Sequence, residues 1–598
     1  IHYGAVSDPD LLACDRLHWR GALDDSDSCY RMLLQSDLAP EIRAEAAWAL
    51  NDLQLANSLF REASAASPEN PAVLVRWGDL FADTHQDAEA MNLYSEALAA
   101  DALNPYALLG AASLLVGGFD DEANAFLEPL LTNDTMAGGA RAAAWLLVAR
   151  ISLESSNMTQ AREAMDNAEA LLEENGLPPL ELYALRAADD LLNNIAESDY
   201  TARSLDYNAA WGGIYAVPAH FYVITRRYRE AIDTYQKAVD IEPGLSAAHE
   251  ALGINLLRDN QVARARRHLE LAHDQDPFSP QSVNTLRLLD SFDEFEIIND
   301  PNLPEQGVIP IVMRLHRDEA PIIAPYAIPL TRASIDVFTE RYGFELREPV
   351  VIEMYPDHED FAVRTAGMPG IGILGATFGY VVAMDSPSSR PSSEFQWGTT
   401  LWHEMAHVFT LEATGHLVPR WFSEGVSVFE EWESGPTPGV RIPMSVYSAM
   451  NEDKFLPVAE LDEGFIRPTY EQQVIVSYMQ AGLICQFIDK EMGPGKLRDL
   501  LAAFGDGLLT ADAIVQVFDM STEAFDRQFD AFVEAEHGAV LHQLDVWHRT
   551  QTSVGQQIAE QDWQGIVELA KSQIAMMPRY TEPDSPYIAL ARAYEELG

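Results

Sequence analysis

Residues 228–243 read YREAIDTYQKAVDIEP, and residues 262–277 read VARARRHLELAHDQDP. The two stretches share one pattern of small and large apolar positions. Four positions recur with a displacement of 34 residues: Ala231, Tyr235, Ala238 and Pro243 return as Ala265, Leu269, Ala272 and Pro277. A fixed period of this length indicates stacked helical hairpins. One such hairpin cannot bury its apolar face alone, so the sequence predicts an α-solenoid.

Other positions support the same period. The pairs Asn70-Pro71 and Asn104-Pro105 are 34 residues apart, and Gly253 falls where the first helix of a hairpin needs a small residue. The pattern resembles the tetratricopeptide repeat, most clearly over residues 212–280 and less so over 71–130. That resemblance implies a helical repeat domain over residues 1–295 that binds a protein partner. The alternative is an unrelated helical bundle.

Arginines are concentrated between Arg226 and Arg267, in an otherwise acidic chain. The repeat register places Arg229, Arg264 and Arg266 on second helices, which face the convex side of a solenoid. We therefore expect a solvated, salt-bridged face there and not a ligand groove.

The pattern changes after residue 295. Pro301, Pro304 and Pro310 predict a linker over residues 296–310, and β-rich runs follow at 308–315, 349–355 and 379–384. Residues 311–390 are predicted to form a sheet subdomain with a helix over 327–342, and residues 395–545 a helical subdomain. Residues 546–598 again look like repeat helices. The expected fold is therefore mainly α and multidomain, with an α+β domain between two repeat segments.

The sequence His403-Glu404-Met405-Ala406-His407 is an H-E-x-x-H motif flanked by apolar residues. Residues four apart share one face of a helix, so both imidazoles can bind one zinc ion beside Glu404. A zinc hydrolase needs a third protein ligand and one open position. The metzincin extension would require Gly at 410 and His at 413, where this chain has Thr410 and Ala413.

Downstream, residues 419–430 read PRWFSEGVSVFE. With the H-E-x-x-H motif, this stretch resembles the gluzincins of the peptidase MA-like superfamily, whose second helix supplies a glutamate ligand. The resemblance implies that Glu424 completes the zinc site. Glu412, Glu430 and Glu431 are competing carboxylates, and His416 is a nearby imidazole expected to cap or line the loop. The thermolysin-like branch has an acidic residue where this chain has Val428, so another group must orient the histidine.

The same resemblance extends over about residues 308–538 and implies further site residues. Gly375, Ala376, Thr377 and Phe378 resemble the edge strand that holds the substrate backbone. Tyr478 lies where the family often has a tyrosine that donates to the oxyanion, although an ordinary core tyrosine is an equal alternative.

The implied activity is peptide hydrolysis with one Zn²⁺ per chain and Glu404 as general base. Because residues 375–379 contain no carboxylate to anchor a free amine, an endopeptidase is favoured. The rival interpretation is a tetratricopeptide binding scaffold with a non-proteolytic zincin module. Hydrolysis of an ester or another bond remains a third alternative.

Charge and composition restrict the partners and the location. The formal net charge is −54, with 93 Asp and Glu against 39 Lys and Arg, so nucleic acid is not an expected partner. The chain has only five Lys, a bias typical of saline habitats and also compatible with an acidic secreted protein. It has no apolar run long enough to cross a membrane. Cys14 and Cys29 could close a short loop, and Cys485 is expected to be buried. A periplasmic, cell-envelope or secreted location is favoured.

Overall fold

The computed structural model describes residues 4–68, 70–117, 122–195, 197–300, 309–370, 372–390, 396–578, 580–581 and 584–598. The chain divides into two compact units. The first comprises Ile1–Phe292 with Ala362–Pro369, and the second comprises Asp293–Phe361 with Gly370–Gly598. The chain is mainly α-helical, as the sequence predicts.

The first unit is a succession of helices joined by short turns, which makes neighbouring helices antiparallel. They are α1 Pro9–Trp19, α2 Leu23–Leu34, α3 Pro40–Ala49, α4 Leu53–Ala66, α5 Pro71–Asp83, α6 Asp87–Ala100, α7 Pro105–Gly117, α8 Ala123–Thr132, α9 Gly138–Glu154, α10 Met158–Asn175, α11 Leu180–Leu192, α12 Asp199–Tyr207, α13 Gly213–Ile224, α14 Tyr228–Ile241, α15 Ser246–Arg258, α16 Val262–Gln275 and α17 Pro280–Ser291.

The predicted repeat is confirmed at the level of the helices. Helices α14 and α16 are the second helices of consecutive hairpins, and both start and end 34 residues apart. A Cβ atom on Gly253 in α15 would lie 2.7 Å from Cγ of Leu269 in α16, so only glycine lets these two helices pack this closely. The N-terminal part is therefore a tetratricopeptide-like solenoid.

The salt-bridged face predicted for the solenoid is confirmed, and the pairing of Cys14 with Cys29, which the sequence left open, is observed. Arg229 on α14 pairs with Asp259 at 2.9 Å, and Arg266 on α16 pairs with Asp290 at 2.8 Å, as expected for a salt-bridged outer face. Cys14 and Cys29 form a disulfide that joins α1 to α2.

The second unit contains one sheet of five strands within the described ranges, in the order β1-β2-β3-β5-β4. The strands are β1 Phe295–Asn299, β2 Ile311–His316, β3 Val350–Tyr355, β4 Gly375–Thr377 and β5 Val381–Asp385. Strands β2, β3 and β5 are parallel, while the two edge strands β1 and β4 run antiparallel to their neighbours. Edge strand β4 matches the expected position of the glycine-containing strand.

Strand β1 overlaps the predicted linker, 296–310, at residues 296–299. The prolines suggested an irregular segment, but Phe295–Asn299 precedes them and pairs with β2 from Phe295↔His316 to Asn299↔Val312. The proline signal therefore does not extend to residues 296–299, where pairing with β2 forms a strand. Residues 301–308, including Pro301 and Pro304, lie outside the described residues.

The helices of the second unit continue to the end of the chain. They are α18 Ala320–Tyr342, α19 His358–Ala366, α20 Trp397–Thr414, α21 Arg420–Glu433, α22 Met444–Asn451, α23 Glu463–Ile466, α24 Gln473–Phe487, α25 Gly495–Gly505, α26 Thr510–Phe518, α27 Thr522–Leu541, α28 Leu544–Glu560, α29 Trp563–Met576 and α30 Pro586–Leu597. Helices α18 and α20 pack on the sheet. The first residues of α19 belong to the second unit, and its residues from Ala362 onward belong to the first.

A single large core joins the sheet to helices α18, α20, α21 and α24. Cys485 of α24 is a fully buried free thiol in this core, as predicted. None of the helices within the described residues combines the length and apolar character that crossing a bilayer requires.

Candidate metal centre

Helix α20 carries the H-E-x-x-H motif. Its other side is fixed in the core by apolar residues such as Leu401, Met405 and Phe409, which are fully buried. This packing turns His403 and His407 to the same side, where their Nε2 atoms are 3.1 Å apart. Glu404 is also buried, with 5% of its surface exposed.

Helix α21 runs back along α20 after a tight turn in which Gly415 and His416 both have positive φ. The reversal brings Glu424 to the two imidazoles. Its Oε2 atom lies 3.4 Å from Nε2 of His403 and 3.1 Å from Nε2 of His407. The structure thus brings together all three residues expected to be metal ligands.

The donor set fits a zinc ion. One ligand atom from each of His403, His407 and Glu424 lies within 4.8 Å of the others, and among the described residues no other such group of His, Cys, Asp or Glu side chains was found. Oε2 of Glu424 is buried and accepts no hydrogen bond, although the two Nε2 atoms are close. The two nitrogens and the oxygen face a common point and lie 3.1 to 3.4 Å from one another, which is the arrangement that a cation satisfies.

The electrostatics of the cluster also call for positive charge. Burial would raise the pKa of Glu424, but the neighbouring imidazoles of His407 and His403 hold it well below its usual value. Burial would lower the pKa of His403, but the nearby carboxylates of Glu424 and Glu431 hold it well above its usual value. The carboxylate of Glu424 is therefore held in its charged form, which is the form that binds a metal ion.

Groups on α21 orient both imidazoles through contacts with their Nδ1 atoms. Nδ1 of His403 donates to Glu431 at 2.6 Å, and Nδ1 of His407 lies 2.8 Å from Oγ of Ser423. The Ser423 hydroxyl is in turn 2.8 Å from Oγ1 of Thr410. The ionised carboxylate of Glu431 only accepts hydrogen bonds, so it places a proton on Nδ1 of His403 and points Nε2 at the common site.

Edge strand β4 contacts Glu404. Oγ1 of Thr377 donates to Oε2 of Glu404 at 2.6 Å and to its backbone carbonyl at 3.1 Å. A Cβ atom on Gly375 would lie 2.5 Å from Oε1 of Glu404, so the glycine leaves the room that this carboxylate occupies. Ala376 pairs with Ala383 of β5, and Phe378 is buried.

Tyr478 on α24 lies beside the cluster. Its ring centroid is 6.4 Å from that of His403, and its edge packs on Phe465 at 5.1 Å. Burial and the nearby carboxylate of Glu424 raise the pKa of Tyr478, so the phenol keeps its proton at neutral pH. Arg420, which sequence reasoning missed, has its Nε 3.5 Å from Oε1 of Glu424. Arg420 precedes Glu424 by one helical turn, and this spacing could have predicted the ion pair.

Two of the competing carboxylates, Glu412 and Glu430, interact with other residues. Glu412 lies 3.3 Å from Nε2 of His416. Glu430 is fully buried and accepts from Arg341 at 2.8 Å and from the hydroxyl of Tyr342 at 2.5 Å. Glu431 contacts His403 through Nδ1, on the side of the ring that faces away from Glu424.

A family model described as Peptidase MA superfamily matches residues 389–535, the segment that contains α20, α21 and α24. No curated protein matches the chain.

Similar solved structures are helical repeat proteins. A tetratricopeptide repeat protein from Parabacteroides merdae is 15% identical, with 43% of this chain and 99% of that chain covered and a TM-score of 0.27. The Cut9-Hcn1 hetero-tetramer of APC/C is 17% identical, with 48% and 56% covered and a TM-score of 0.31. YrrB, a TPR protein with an unusual peptide-binding site, is 13% identical, with 38% and 97% covered and a TM-score of 0.17. The repeat assignment rests on the 34-residue helix period and not on these low scores. By its matched segment, 389–535, the chain carries a peptidase MA-like domain, and this domain follows a tetratricopeptide-like solenoid.

Proposed function

We propose that the protein is a zinc-dependent peptidase of gluzincin type. The observation that carries this proposal is the buried, unbonded Oε2 of Glu424 beside the two Nε2 atoms of the H-E-x-x-H motif, with Glu404 in the same pocket of side chains. His403, His407 and Glu424 would hold one Zn²⁺ per chain. When bound, zinc supplies Lewis acidity that lowers the pKa of water and polarises a carbonyl group.

Glu404 is the general base in this proposal. Its carboxylate removes a proton from the attacking water and then gives that proton to the leaving nitrogen of the scissile amide. The Thr377 hydroxyl supports this role because it fixes Oε2 of Glu404 at 2.6 Å. A carboxylate held in one orientation is ready for proton transfer without reorganisation.

The substrate backbone is proposed to pair with edge strand β4. Among the described strands, β4 pairs only with β5, so its other side can pair with an extended peptide through main-chain hydrogen bonds. Gly375, Ala376, Thr377 and Phe378 would form this contact. The absence of a carboxylate in residues 375–379 favours cleavage within a chain over cleavage at a free amino terminus.

Tyr478 is proposed to donate its phenolic proton to the developing oxyanion. Its raised pKa keeps that proton in place, and its ring lies next to His403. A well-placed donor of this kind contributes roughly 3 to 4 kcal/mol to transition-state stabilisation.

The solenoid is proposed to bind a protein partner or substrate. The Cys14–Cys29 disulfide supports a periplasmic, cell-envelope or secreted location, since disulfides persist in oxidising compartments.

The test is hydrolysis by the full chain. Zinc-loaded protein is incubated with a broad library of unstructured peptides, and cleavage products are identified by mass spectrometry. We expect cuts at internal bonds that disappear with a chelator and return with Zn²⁺. If the zinc-loaded protein cuts no peptide, the proposal fails and a binding scaffold with a non-proteolytic zincin module takes its place.

A further inference from the structure

Among the described residues, Arg420 is the one basic side chain of Lys or Arg that forms an ion pair with a proposed metal ligand. It is the first residue of α21, and its Nε lies 3.5 Å from Oε1 of Glu424. The other oxygen of that carboxylate, Oε2, is the one that faces His403 and His407. Arg420 therefore belongs to the metal centre without being part of the ligand set.

The guanidinium group of Arg420 is held loosely. Hydrogen bonds between nitrogen and oxygen span about 2.7 to 3.2 Å, so the contact of 3.5 Å with Glu424 is an ion pair of longer range. The side chain of Arg420 is 46% exposed, whereas that of Glu424 is 8% exposed. A guanidinium group presents its N–H donors as a planar fork that matches a carboxylate. Much of this fork is thus open to a group that arrives from solvent.

Two aromatic residues place Arg420 near the proposed reaction. Its guanidinium carbon lies 5.7 Å from the ring centroid of Phe465, and Phe465 packs on Tyr478 with 5.1 Å between the ring centroids. Arg420 also interacts electrostatically with Tyr478 itself. Because Tyr478 is the proposed donor to the oxyanion, a substrate group that reaches Arg420 lies close to the scissile bond.

The charges of the centre favour an anionic group at Arg420. The acidic side chains Glu404, Glu424 and Glu431 surround the two histidines. When Glu424 binds a metal ion, its charge no longer compensates that of Arg420. A carboxylate of the substrate would restore this compensation and would accept from the open side of the fork.

We propose that Arg420 forms a subsite for a carboxylate group of the substrate, next to the scissile bond. This inference rests on the proposed function, because it assigns a substrate group to the same site. Since cleavage is proposed to occur within a chain, the side chain of a Glu or Asp residue supplies the carboxylate. A free carboxyl terminus carries the same chemistry, and the test separates the two sources.

The net charge of the chain makes the test specific. At −54, the general field of the protein repels an acidic peptide. A preference for an acidic peptide over its neutral isostere can therefore arise only from a local positive charge.

The test measures peptide binding by the full chain in a buffer that contains Zn²⁺. All proteins carry Glu404→Gln, so that no peptide is consumed. The probes are fluorescein-labelled dodecapeptides with apolar residues around one central position, which holds Glu or Gln, and both have an amidated carboxyl terminus. A third probe is the Gln peptide with a free carboxyl terminus. Fluorescence anisotropy gives Kd, and the zinc content of each protein is measured in parallel.

The Glu peptide should bind about tenfold or more tightly than the Gln peptide, as expected for a charge-assisted contact with an arginine fork. Adding Arg420→Gln should make the two Kd values equal within about twofold. Arg420→Lys keeps the charge but not the fork, so its preference should be intermediate. The control Arg527→Gln removes an exposed arginine of α27 and should keep the full preference.

If only the free carboxyl terminus tightens binding, and Arg420→Gln removes that gain, the subsite is supported and holds a chain end. Equal Kd values for the three probes would overturn the proposal, as would a preference that Arg420→Gln leaves unchanged. Absence of measurable binding of any probe would also overturn it. Because the readout is binding by a protein without turnover, these outcomes are separate from the library experiment, which decides whether the wild type is a peptidase.

Discussion

Nδ1 of His403 donates a hydrogen bond to Glu431 at 2.6 Å, and this carboxylate lies on the same face of α21 as Glu424. Helices α20 and α21 run antiparallel, so the earlier histidine of α20 meets the later part of α21. Ser423, next to Glu424, meets His407 in the same way. The acidic partner that Val428 cannot provide is therefore supplied one helical turn further along.

The change Glu431→Gln should weaken zinc binding by roughly 10- to 100-fold while the fold is retained. The amide keeps an acceptor for Nδ1 of His403 but removes the negative charge that makes the imidazole a stronger ligand. Competition with a chromogenic chelator measures the affinity. The matched control is Glu433→Gln, an exposed residue two positions along the same helix. Equal affinities in the wild type and in Glu431→Gln would show that this carboxylate does not support the metal site.

The change Gly375→Ala should abolish most hydrolysis and leave zinc content unchanged. The new Cβ atom would lie 2.5 Å from Oε1 of Glu404, so the carboxylate must swing away from its position. The control Gly372→Ala adds the same atom where nothing lies within 4 Å. Turnover and zinc content are measured on both proteins. Full activity in Gly375→Ala would mean that the position of Glu404 in the structure is not the catalytic one.

Removal of a proposed ligand should remove the metal. Glu424→Ala and His407→Ala are expected to fall from about one zinc per chain to a small fraction of that value, because two remaining ligands bind zinc weakly. Glu412→Ala, on the helix of the motif but paired with His416, should keep full occupancy. Inductively coupled plasma mass spectrometry of the purified proteins measures the metal content. Full occupancy in both ligand variants would contradict the ligand assignment.

The solenoid should lose stability on acidification through the histidine pair His249 and His268, whose Nδ1 atoms are 3.0 Å apart. Burial, together with the nearby His249, Arg264 and Arg267, lowers the pKa of His268 to about 4, and Asp240 only partly opposes this shift. The unfolded chain therefore binds more protons between about pH 6.5 and 4. The contribution of this pair to the free energy of unfolding is fully present above about pH 6.5 and is lost as the pH falls through that window.

Circular dichroism melts at pH 7 and pH 5 test this linkage. In His268→Gln the decrease in Tm between the two pH values should be smaller than in the wild type by roughly 2 °C or more. The control His220→Gln removes an exposed histidine of the same unit and should behave as the wild type. An equal decrease in all three proteins would show that the pair does not couple protonation to folding.

The sequence predicted those features that depend on spacing along one helix. The 34-residue period predicted α14 and α16, and the interval of four residues predicted that His403 and His407 lie on one side of α20, as observed. Contacts between distant segments could not be predicted in this way. The Thr377 hydroxyl on Glu404 was not foreseen, although Thr377 itself was expected to bind the substrate backbone.

Ion pairs between successive first helices are a second feature that sequence reasoning missed. Glu45 of α3 and Arg76 of α5 lie about one repeat apart and meet only after the hairpins stack. Clustering of charges along the sequence is a stronger signal than recurrence at the repeat period. Strand β1 was missed because its pairing partner decides its structure.

The central claim is that Glu404 acts as a base beside a bound zinc ion. The most direct measurement compares turnover of one cleaved peptide by wild type and Glu404→Gln at equal, verified zinc content. The amide keeps the shape of the side chain and an oxygen that accepts from Thr377, but it cannot accept the proton of the attacking water. We predict that Glu404→Gln binds zinc and peptide as the wild type does and loses at least about 10²-fold in kcat. Equal kcat in the two zinc-loaded proteins would contradict the account.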